Sequence, residues 1–215
     1  RSTVDEYSLK SHQKAIAAKK HLAGEIAPIK EGRVDCSHDE HVRDGATLEE
    51  MNKLKASFQK DGTVTPATAS GIVDGSSCVL VASEEFVTKN NLEPLAEIID
   101  GHVIGVDPKI MGIGPVPAIQ KLLLKNNLSM KDIDLFEINE AFASQVIACQ
   151  KDLEIPEEKL NIWGGAVAIG HPLAATGTRI TTTLARQLKE MNKNYGVASA
   201  CIGGGQGISI LLKKV

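Results

Sequence analysis

Residues Leu135–Asp152 read Leu-Phe-Glu-Ile-Asn-Glu-Ala-Phe-Ala-Ser-Gln-Val-Ile-Ala-Cys-Gln-Lys-Asp, a short apolar run followed by a sequence that favours a helix. This pattern predicts a strand over 135–138 and a helix over 141–152. The alternation continues on both sides, with strands predicted over 96–106, 195–201 and 207–212 and helices over 116–126 and 178–191. Strands that alternate with helices are typical of an α/β layered fold.

The first part of the chain is less regular. A helix is predicted over 2–23, and it begins with two overlapping capping boxes, Ser2–Asp5 and Thr3–Glu6. A polar segment follows, in which a further capping box predicts a short helix over 47–59. Residues 69–82 carry glycines and then small and β-branched residues, which predicts a turn that runs into a buried helix or strand.

The composition excludes several classes of protein. The chain has 215 residues, 42% of them hydrophobic, with 24 Lys and Arg against 27 Asp and Glu. A near-neutral balance without a basic block provides no electrostatic footprint for nucleic acid or an anionic membrane surface. No apolar run approaches the roughly 18 residues that a membrane span needs. We therefore expect a globular protein with no nucleic-acid partner and no membrane span.

Four cysteines, Cys36, Cys78, Cys149 and Cys201, are scattered along the chain and form no Cys-x-x-Cys pair. They do not make a disulfide framework, so reduced thiols in an intracellular compartment are expected. Cys201 stands beside a cluster of glycines, which marks it as a candidate for chemistry, whereas the other three are expected to be packing or surface thiols.

Three short clusters in the last third of the chain carry groups suited to acyl chemistry: Asn139–Phe142, Gly170–Pro172 and Cys201–Gly205. A histidine in a glycine-rich loop can deprotonate a thiol or polarise a carbonyl. A cysteine beside glycines can move a proton while neighbouring backbone N–H groups stabilise an oxyanion. An asparagine side chain can hold a water molecule in a second oxyanion site. Each cluster alone is more often a turn or an inert thiol, so the prediction depends on their occurrence together.

Taken in order, these motifs resemble the C-terminal signatures of the thiolases, the acetyl-CoA acetyltransferases and 3-ketoacyl-CoA thiolases. The resemblance is carried by Asn139–Ala143, Gly164–Leu173 and Cys201–Gly207, and upstream by Arg43–Thr47, Phe58–Thr65, Ala69–Gly71, Asp74–Gly75, Gly105–Pro108 and Met111–Pro115. It implies a thiolase-like layered α-β-α-β-α fold, of which this chain holds the complete C-terminal α-β-α half plus part of the loop domain. The implied boundaries are 1–71 for the second half of the loop domain, 72–93 for the closing element of the N-terminal domain and 94–215 for the C-terminal domain.

The resemblance also implies roles for individual residues. His171 would activate the nucleophilic cysteine and help to form one oxyanion hole, and Asn139 would hold the water that completes it. Cys201 would remove and return the α-proton, and the backbone N–H of Gly203 would contribute to a second oxyanion hole. The positions implied to bind CoA are Arg43, Leu54, Phe58, Ala67, Ser70, Met111, Ala141 and Phe142.

The nucleophile of thiolases stands in a Ser-x-x-Cys-Ser-Gly-like context, which this chain lacks. The chain therefore resembles the second half of a thiolase, and the nucleophile-bearing half is expected in the same or a separate polypeptide. The implied activity is reversible Claisen condensation and thiolysis of acetyl-CoA and 3-oxoacyl-CoA through an acetyl-cysteine. CoA and acetyl-CoA are substrates, no permanent cofactor or metal is implied, and a homodimer or homotetramer in mitochondria or cytoplasm is expected.

Two other functions stay open. Without a nucleophile no acetyl-enzyme forms, so the chain could be an inactive half that only binds CoA or assists assembly. Cys36, His38 and His41 are ligand types that zinc accepts, although a polar surface loop accounts for the same stretch. Gly112 and Gly114 lack the third glycine and the later acidic residue of a dinucleotide-binding motif.

Overall fold

The computed structural model describes all 215 residues, which form two compact units. The first unit contains residues 1–74 and 139–172, and the second contains residues 75–138 and 173–215. The helices are Ser2–Ala17 (α1), Lys19–Ala23 (α2), Leu48–Asn52 (α3), Glu84–Lys89 (α4), Pro115–Lys125 (α5), Ala143–Asp152 (α6), Ala166–Ile169 (α7) and Thr176–Glu190 (α8). The strands are Ile29–Glu31 (β1), Val34–Cys36 (β2), Glu97–Gly105 (β3), Leu135–Ile138 (β4), Tyr195–Ile202 (β5) and Gln206–Lys213 (β6). None of the helices combines the length and the apolar character that crossing a bilayer requires.

A four-stranded sheet in the order β3-β6-β5-β4 forms the centre of the second unit. Strand β6 is antiparallel to both of its neighbours, and β4 is parallel to β5. All four residues of β4 are buried, which explains its nearly continuous apolar sequence. Helix α5 packs against β3 and β6, and α8 packs against β4 and β5. The strands and helices predicted for this region are confirmed, with ends that shift by at most two residues.

Helix α8 lies close to the sheet for two reasons. A Cβ atom on Gly196 of β5 would lie 2.7 Å from Cδ1 of Leu184, so only glycine permits this approach. Glu137 of β4 is buried and accepts a 2.8 Å hydrogen bond from Nε2 of Gln187 in α8. Because a buried carboxylate is costly without a donor, this bond helps to fix α8 against β4.

Helix α1 occupies the centre of the first unit, where it packs against α3, α6 and α7. Ala15 of α1 belongs to a buried cluster that also contains Ala18, Leu22, Trp163, Ala168 and Ile169. Near its start, Val4 packs in a second cluster with Ala143 and Val167. These contacts join the two stretches of chain that make up the unit. Strands β1 and β2 form an exposed antiparallel hairpin in the same unit.

Two expectations about helix ends are corrected. The first residues of α1 form no side-chain cap, because Nε of Arg1 lies 2.8 Å from both carboxylate oxygens of Asp5 and engages the side chain that a capping box would use. Thr47 caps α3 as predicted, since its Oγ1 accepts a bond from the N–H of Glu50, but the Glu50 carboxylate accepts the Thr47 hydroxyl and the reciprocal bond of a capping box is not formed. Helix α3 nevertheless ends at Asn52 rather than at 59. The chain turns there, and the N–H of Ser57 donates to the carbonyl of Val64 at 2.9 Å.

Residues 70–83 form no helix or strand, and the prediction of a buried element over 69–82 is wrong. Ile72, Leu80 and Val81 are largely exposed, with 94% of the Leu80 surface accessible. Only Ala69, at the start of this stretch, forms a bridge, and its partner is Phe142. An extended, β-branched sequence needs a partner strand to satisfy its backbone groups, and no strand of this chain pairs with residues 70–83.

The glycine-rich stretch 161–177 contains the one-turn helix α7 and the first residues of α8. Two glycines with positive φ flank α7, Gly164 at +79° and Gly170 at +96°. A Cβ atom on Gly164 would lie 2.6 Å from the carbonyl oxygen of Ser11 in α1. This glycine therefore permits both the backbone turn and the close approach of the loop to α1.

Replacing Gly164 by alanine is expected to destabilise the protein by roughly 2–4 kcal/mol, because alanine is strained at positive φ and collides with α1. Urea unfolding measures the change. Gly177→Ala is the matched control, since a Cβ atom there meets nothing within 4 Å and the residue lies in α8. The control is expected to be neutral or to stabilise by up to about 1 kcal/mol. Equal unfolding free energies for the two variants would contradict this account.

Candidate functional site

The first unit brings together two of the predicted catalytic residues, Asn139 and His171. Asn139 directly follows β4, and His171 lies two residues after α7. Nδ2 of Asn139 and Nε2 of His171 are 3.2 Å apart. The asparagine is only 1% exposed, and its Oδ1 atom is buried without a hydrogen-bond partner. A buried amide oxygen without a donor is costly, which favours a bound water or a substrate group at this position.

The backbone around His171 is fixed by residues 71–73, which belong to the other chain segment of the first unit. The N–H of His171 donates to the carbonyl of Gly71 at 3.0 Å. A Cβ atom on Gly170 would lie 2.5 Å from Cγ2 of Val73, so only glycine fits between this valine and the loop. The imidazole itself is partly exposed. The histidine ring is thus held at a defined place while it stays accessible.

Four of the residues implied to bind CoA lie side by side in the first unit. Both the N–H and the Oγ of Ser70 donate to the carbonyl of Ala141 at 3.1 Å. Phe142 pairs with Ala69 through the backbone, and its ring meets the ring of Phe58 edge to face at 6.5 Å between centroids. These contacts bring Phe58, Ser70, Ala141 and Phe142 together.

Three further implied CoA positions, Arg43, Leu54 and Ala67, line one cavity of about 410 Å³ in the first unit. This volume is within the usual range of small-molecule sites. The cavity is also lined by His12 and His41, which the sequence analysis did not assign to the site. A lone histidine in a helix gives no motif, so only the folded arrangement reveals that His12 belongs to this wall.

The cavity favours neutral histidines. Burial, the neighbouring His41 and the positive charge of Arg43 lower the pKa of His12 to about 4. Its Nδ1 accepts a 3.1 Å hydrogen bond from the backbone N–H of Arg43, which only an unprotonated nitrogen can do. Burial and Arg43 also lower the pKa of His41. The ring of His41 covers Gly71, where a Cβ atom would lie 2.5 Å from it.

Cys201 lies near the end of β5 in the second unit and pairs with Gly207 of β6. Its side chain is buried, and burial raises the pKa of the thiol. Gly203 begins the turn that follows β5, in which Gly204 and Gly205 have φ near +90°. The carbonyl of Gly205 accepts a 2.8 Å bond from the N–H of Val106, which fixes the turn against the end of β3.

Met111, the last of the implied CoA positions, also lies in the second unit, in the 3₁₀ helix Pro108–Ile113. This helix ends at Gly114, where a Cβ atom would lie 2.5 Å from the carbonyl oxygen of Gln206. The 3₁₀ helix therefore lies at the end of the sheet where β5 ends and β6 begins. Cys201, Gly203 and Met111 share that end of the sheet.

The zinc alternative receives no structural support. The protein contains no group of three or more His, Cys, Asp or Glu side chains placed to hold a metal ion. None of the four cysteines forms a disulfide; Cys36 and Cys78 are exposed, and Cys149 and Cys201 are buried.

Comparison with known proteins shows what the chain is similar to. The family model described as the C-terminal domain of thiolase matches residues 92–214, and the model of the thiolase N-terminal domain matches residues 1–85. The human protein named "3-ketoacyl-CoA thiolase, mitochondrial" is 48% identical over 220 residues, a match that covers 100% of this chain and 55% of the relative. The chain thus spans about half the length of the curated relatives it matches.

Two solved structures agree with this result. Human mitochondrial 3-ketoacyl-CoA thiolase in complex with CoA superposes with a TM-score of 0.92 at 45% identity, over 100% of this chain and 55% of that one. The Bacillus anthracis acetyl-CoA acetyltransferase superposes with a TM-score of 0.96 at 46% identity, over 100% of this chain and 56% of that one. These matches confirm the expected α/β layered fold class. The boundaries at 71 and 93 stay a prediction.

The low pKa of His12 predicts that stability falls as pH falls. Between the ordinary histidine pKa of 6.5 and about 4, the unfolded chain binds a proton that the folded chain excludes. Urea unfolding near pH 7 and pH 4.5 should show that His12→Gln loses less stability on acidification than the unsubstituted chain. The control His38→Gln, at an exposed position, should behave like the unsubstituted chain. An identical pH dependence in all three proteins would contradict the prediction.

Proposed function

The chain belongs to the thiolase family, and from that premise we propose that it supplies the second half of an acyltransferase. The proposed reaction is the reversible Claisen condensation and thiolysis of acetyl-CoA and 3-oxoacyl-CoA. The acetyl-cysteine intermediate forms on a nucleophile outside residues 1–215, on the same polypeptide or on a separate one. We call the chain together with this nucleophile-bearing half the assembled protein.

The observation that carries the proposal is the pair of Asn139 and His171. Their 3.2 Å contact places an imidazole nitrogen beside an amide whose buried Oδ1 has no donor. In the proposed site, a water molecule donates one hydrogen bond to this Oδ1 atom and another to the thioester oxygen of the substrate. The imidazole of His171 is the second donor to the same thioester oxygen. Such preorganised donors stabilise the negative charge that develops on the oxygen when a carbonyl is attacked or an enolate forms.

In thiolysis, the thiolate of the outside cysteine adds to the 3-oxo carbon, and His171 serves as the base that takes the thiol proton. The bond between C2 and C3 then breaks, and its electron pair stays on C2 as the enolate of the leaving thioester. One proton is transferred to C2, and the thiol of CoA takes the acyl group from the cysteine. Condensation is the same sequence in reverse.

Cys201 is the proposed donor of the proton to C2. Burial raises the pKa of its thiol, so the thiol keeps its proton at neutral pH until a stronger base, the enolate carbon, accepts it. The backbone N–H of Gly203 lies in the turn after β5, and the glycines of this turn leave room for a substrate oxygen to approach. We propose it as a donor in the second oxyanion hole.

The substrates of the proposed reaction are CoA thioesters, and no permanent cofactor or metal takes part. Arg43, Leu54 and Ala67 in the cavity, with Phe58, Ser70, Met111, Ala141 and Phe142, are the proposed CoA contacts. A thin pantetheine arm needs small residues and apolar walls, and a nucleotide end needs a cation such as Arg43. By analogy with the family we propose a homodimer or homotetramer in mitochondria or cytoplasm.

A second candidate is an inactive half that only binds CoA or assists assembly, and the lack of a Ser-x-x-Cys-Ser-Gly-like nucleophile motif in residues 1–215 favours it. The apolar side chains of Ile72, Leu80 and Val81 lie exposed in this chain, as expected of a surface that another part of a larger assembly covers. Activity of the assembled protein distinguishes the two candidates.

His171→Ala in the assembled protein is expected to lower thiolysis of acetoacetyl-CoA by at least about 100-fold, because the base and one oxyanion contact are lost. Steady-state kinetics with CoA as cosubstrate measures the change. The control His38→Ala removes an exposed histidine and should leave the rate unchanged. Near-normal turnover of His171→Ala would refute the assigned role.

Cys201→Ser is expected to separate the two half-reactions. Exchange of the acetyl group between acetyl-CoA and labelled CoA needs no α-proton transfer, so it should stay within about threefold of the unsubstituted protein. Condensation of two acetyl-CoA molecules should fall by about 100-fold or more. Cys149→Ser, at the other buried thiol, should change neither rate. Equal losses of exchange and condensation in Cys201→Ser would show that the role is wrong.

A further inference from the structure

Glu140 is a buried carboxylate that accepts four hydrogen bonds within the first unit. It is 1% exposed. Its Oε1 accepts from the hydroxyl of Tyr7 at 2.8 Å and from Nδ2 of Asn161 at 3.1 Å. Its Oε2 accepts from the hydroxyl of Ser11 at 2.7 Å and from the backbone N–H of Val167 at 3.0 Å. A carboxylate can satisfy four donors at once because it accepts on both oxygens.

These donors come from two elements and a loop that are far apart in the sequence. Tyr7 and Ser11 lie on α1, Asn161 lies before α7, and Val167 lies within α7. The hydroxyl of Ser11 also accepts the backbone N–H of Gly165 at 3.1 Å. A Cβ atom on Gly165 would collide with the carboxyl group of Glu140, so glycine permits the approach. The carboxylate and Ser11 together hold the first turn of α7.

Glu140 is bonded along the chain to Asn139, and α7 leads through Gly170 to His171. The same side chain therefore connects the segment that carries the asparagine with the short helix that precedes the histidine. A four-residue helix is too short to hold its own position, so contacts from outside must fix it.

We propose that Glu140 is a positioning residue that sets the distance between Asn139 and His171 by fixing α7 against the 139–141 segment. The proposal rests on the proposed function, since it assigns Glu140 a part in the same oxyanion site. Misplacement of such a site by about 1 Å can cost around 100-fold in rate.

The test compares Glu140→Ala with Glu137→Ala in the assembled protein. Both glutamates are 1% exposed and accept a hydrogen bond, and the bond that Glu137 accepts comes from Gln187 of α8. Glu140→Ala is expected to lower kcat of thiolysis by about 10–100-fold while KM for CoA changes by less than about threefold. Glu137→Ala is expected to lower the melting temperature with kcat within about threefold. Equal effects of both substitutions on kcat and melting temperature would overturn the proposal.

A milder pair of variants decides the question even if Glu140→Ala does not fold. Ser11→Ala and Tyr7→Phe each remove one hydroxyl that donates to Glu140. The Tyr7 hydroxyl also accepts at 3.2 Å from Nδ2 of Asn161, which lies before α7, whereas the Ser11 hydroxyl accepts the backbone N–H of Gly165, the residue directly before α7. A positioning role predicts a larger loss of kcat for Ser11→Ala. Equal losses, or a larger loss for Tyr7→Phe, would show that the carboxylate serves stability alone.

The outcomes also separate this proposal from the proposed function. If the unsubstituted assembled protein shows no thiolysis and no acetyl exchange, the proposed function fails and this proposal fails with it. If the unsubstituted protein is active and His171→Ala is not, but Glu140→Ala and Ser11→Ala keep full kcat, the positioning role alone fails.

Discussion

The four hydrogen bonds accepted by the buried carboxylate of Glu140 are the constraint on which the first unit depends. A carboxylate in the protein interior is tolerated only when donors surround it, and these donors come from α1, from Asn161 and from α7. Satisfying them leaves few arrangements for the chain between 139 and 172. The 3.2 Å contact of Asn139 with His171 forms within that arrangement.

Close backbone contacts also restrict how the chain is arranged in the first unit. Gly71, Gly164, Gly165 and Gly170 each lie where a Cβ atom would collide with a neighbour, and each collision involves an element that carries or supports the site. Burial also sets the protonation states, since it lowers the pKa of His12 and raises the pKa of Cys201. Both groups are therefore uncharged at neutral pH, which suits a cavity that already contains Arg43 and the proposed role of the Cys201 thiol as a proton donor to a carbanion.

The sequence predicts well what neighbouring residues determine. The sheet of the second unit is recovered within two residues, because the alternation of apolar strands with helices is a local pattern. Strands β4, β5 and β6 contain buried residues, whereas β3 is mostly exposed. The motifs around Asn139 and His171 identify residues that the structure places in contact. Hydrogen bonds between residues far apart in the sequence cannot be predicted from local patterns. Tyr7 and Glu140, for example, form a hydrogen bond although they lie 133 positions apart. Residues 69–82 are predicted to form a buried element but are mostly exposed, because local periodicity does not reveal whether a partner element exists.

The proposed function requires that this chain shape an acyl-transfer site for a nucleophile that lies outside it. Incubation of the assembled protein with labelled acetyl-CoA, followed by acid quench and peptide mass mapping, locates the acetylated residue. We expect a thioester-bound acetyl group on a cysteine outside residues 1–215, with Cys36, Cys78, Cys149 and Cys201 unlabelled. An acetyl group on any of these four cysteines, or no labelled cysteine at all, would contradict the proposed function.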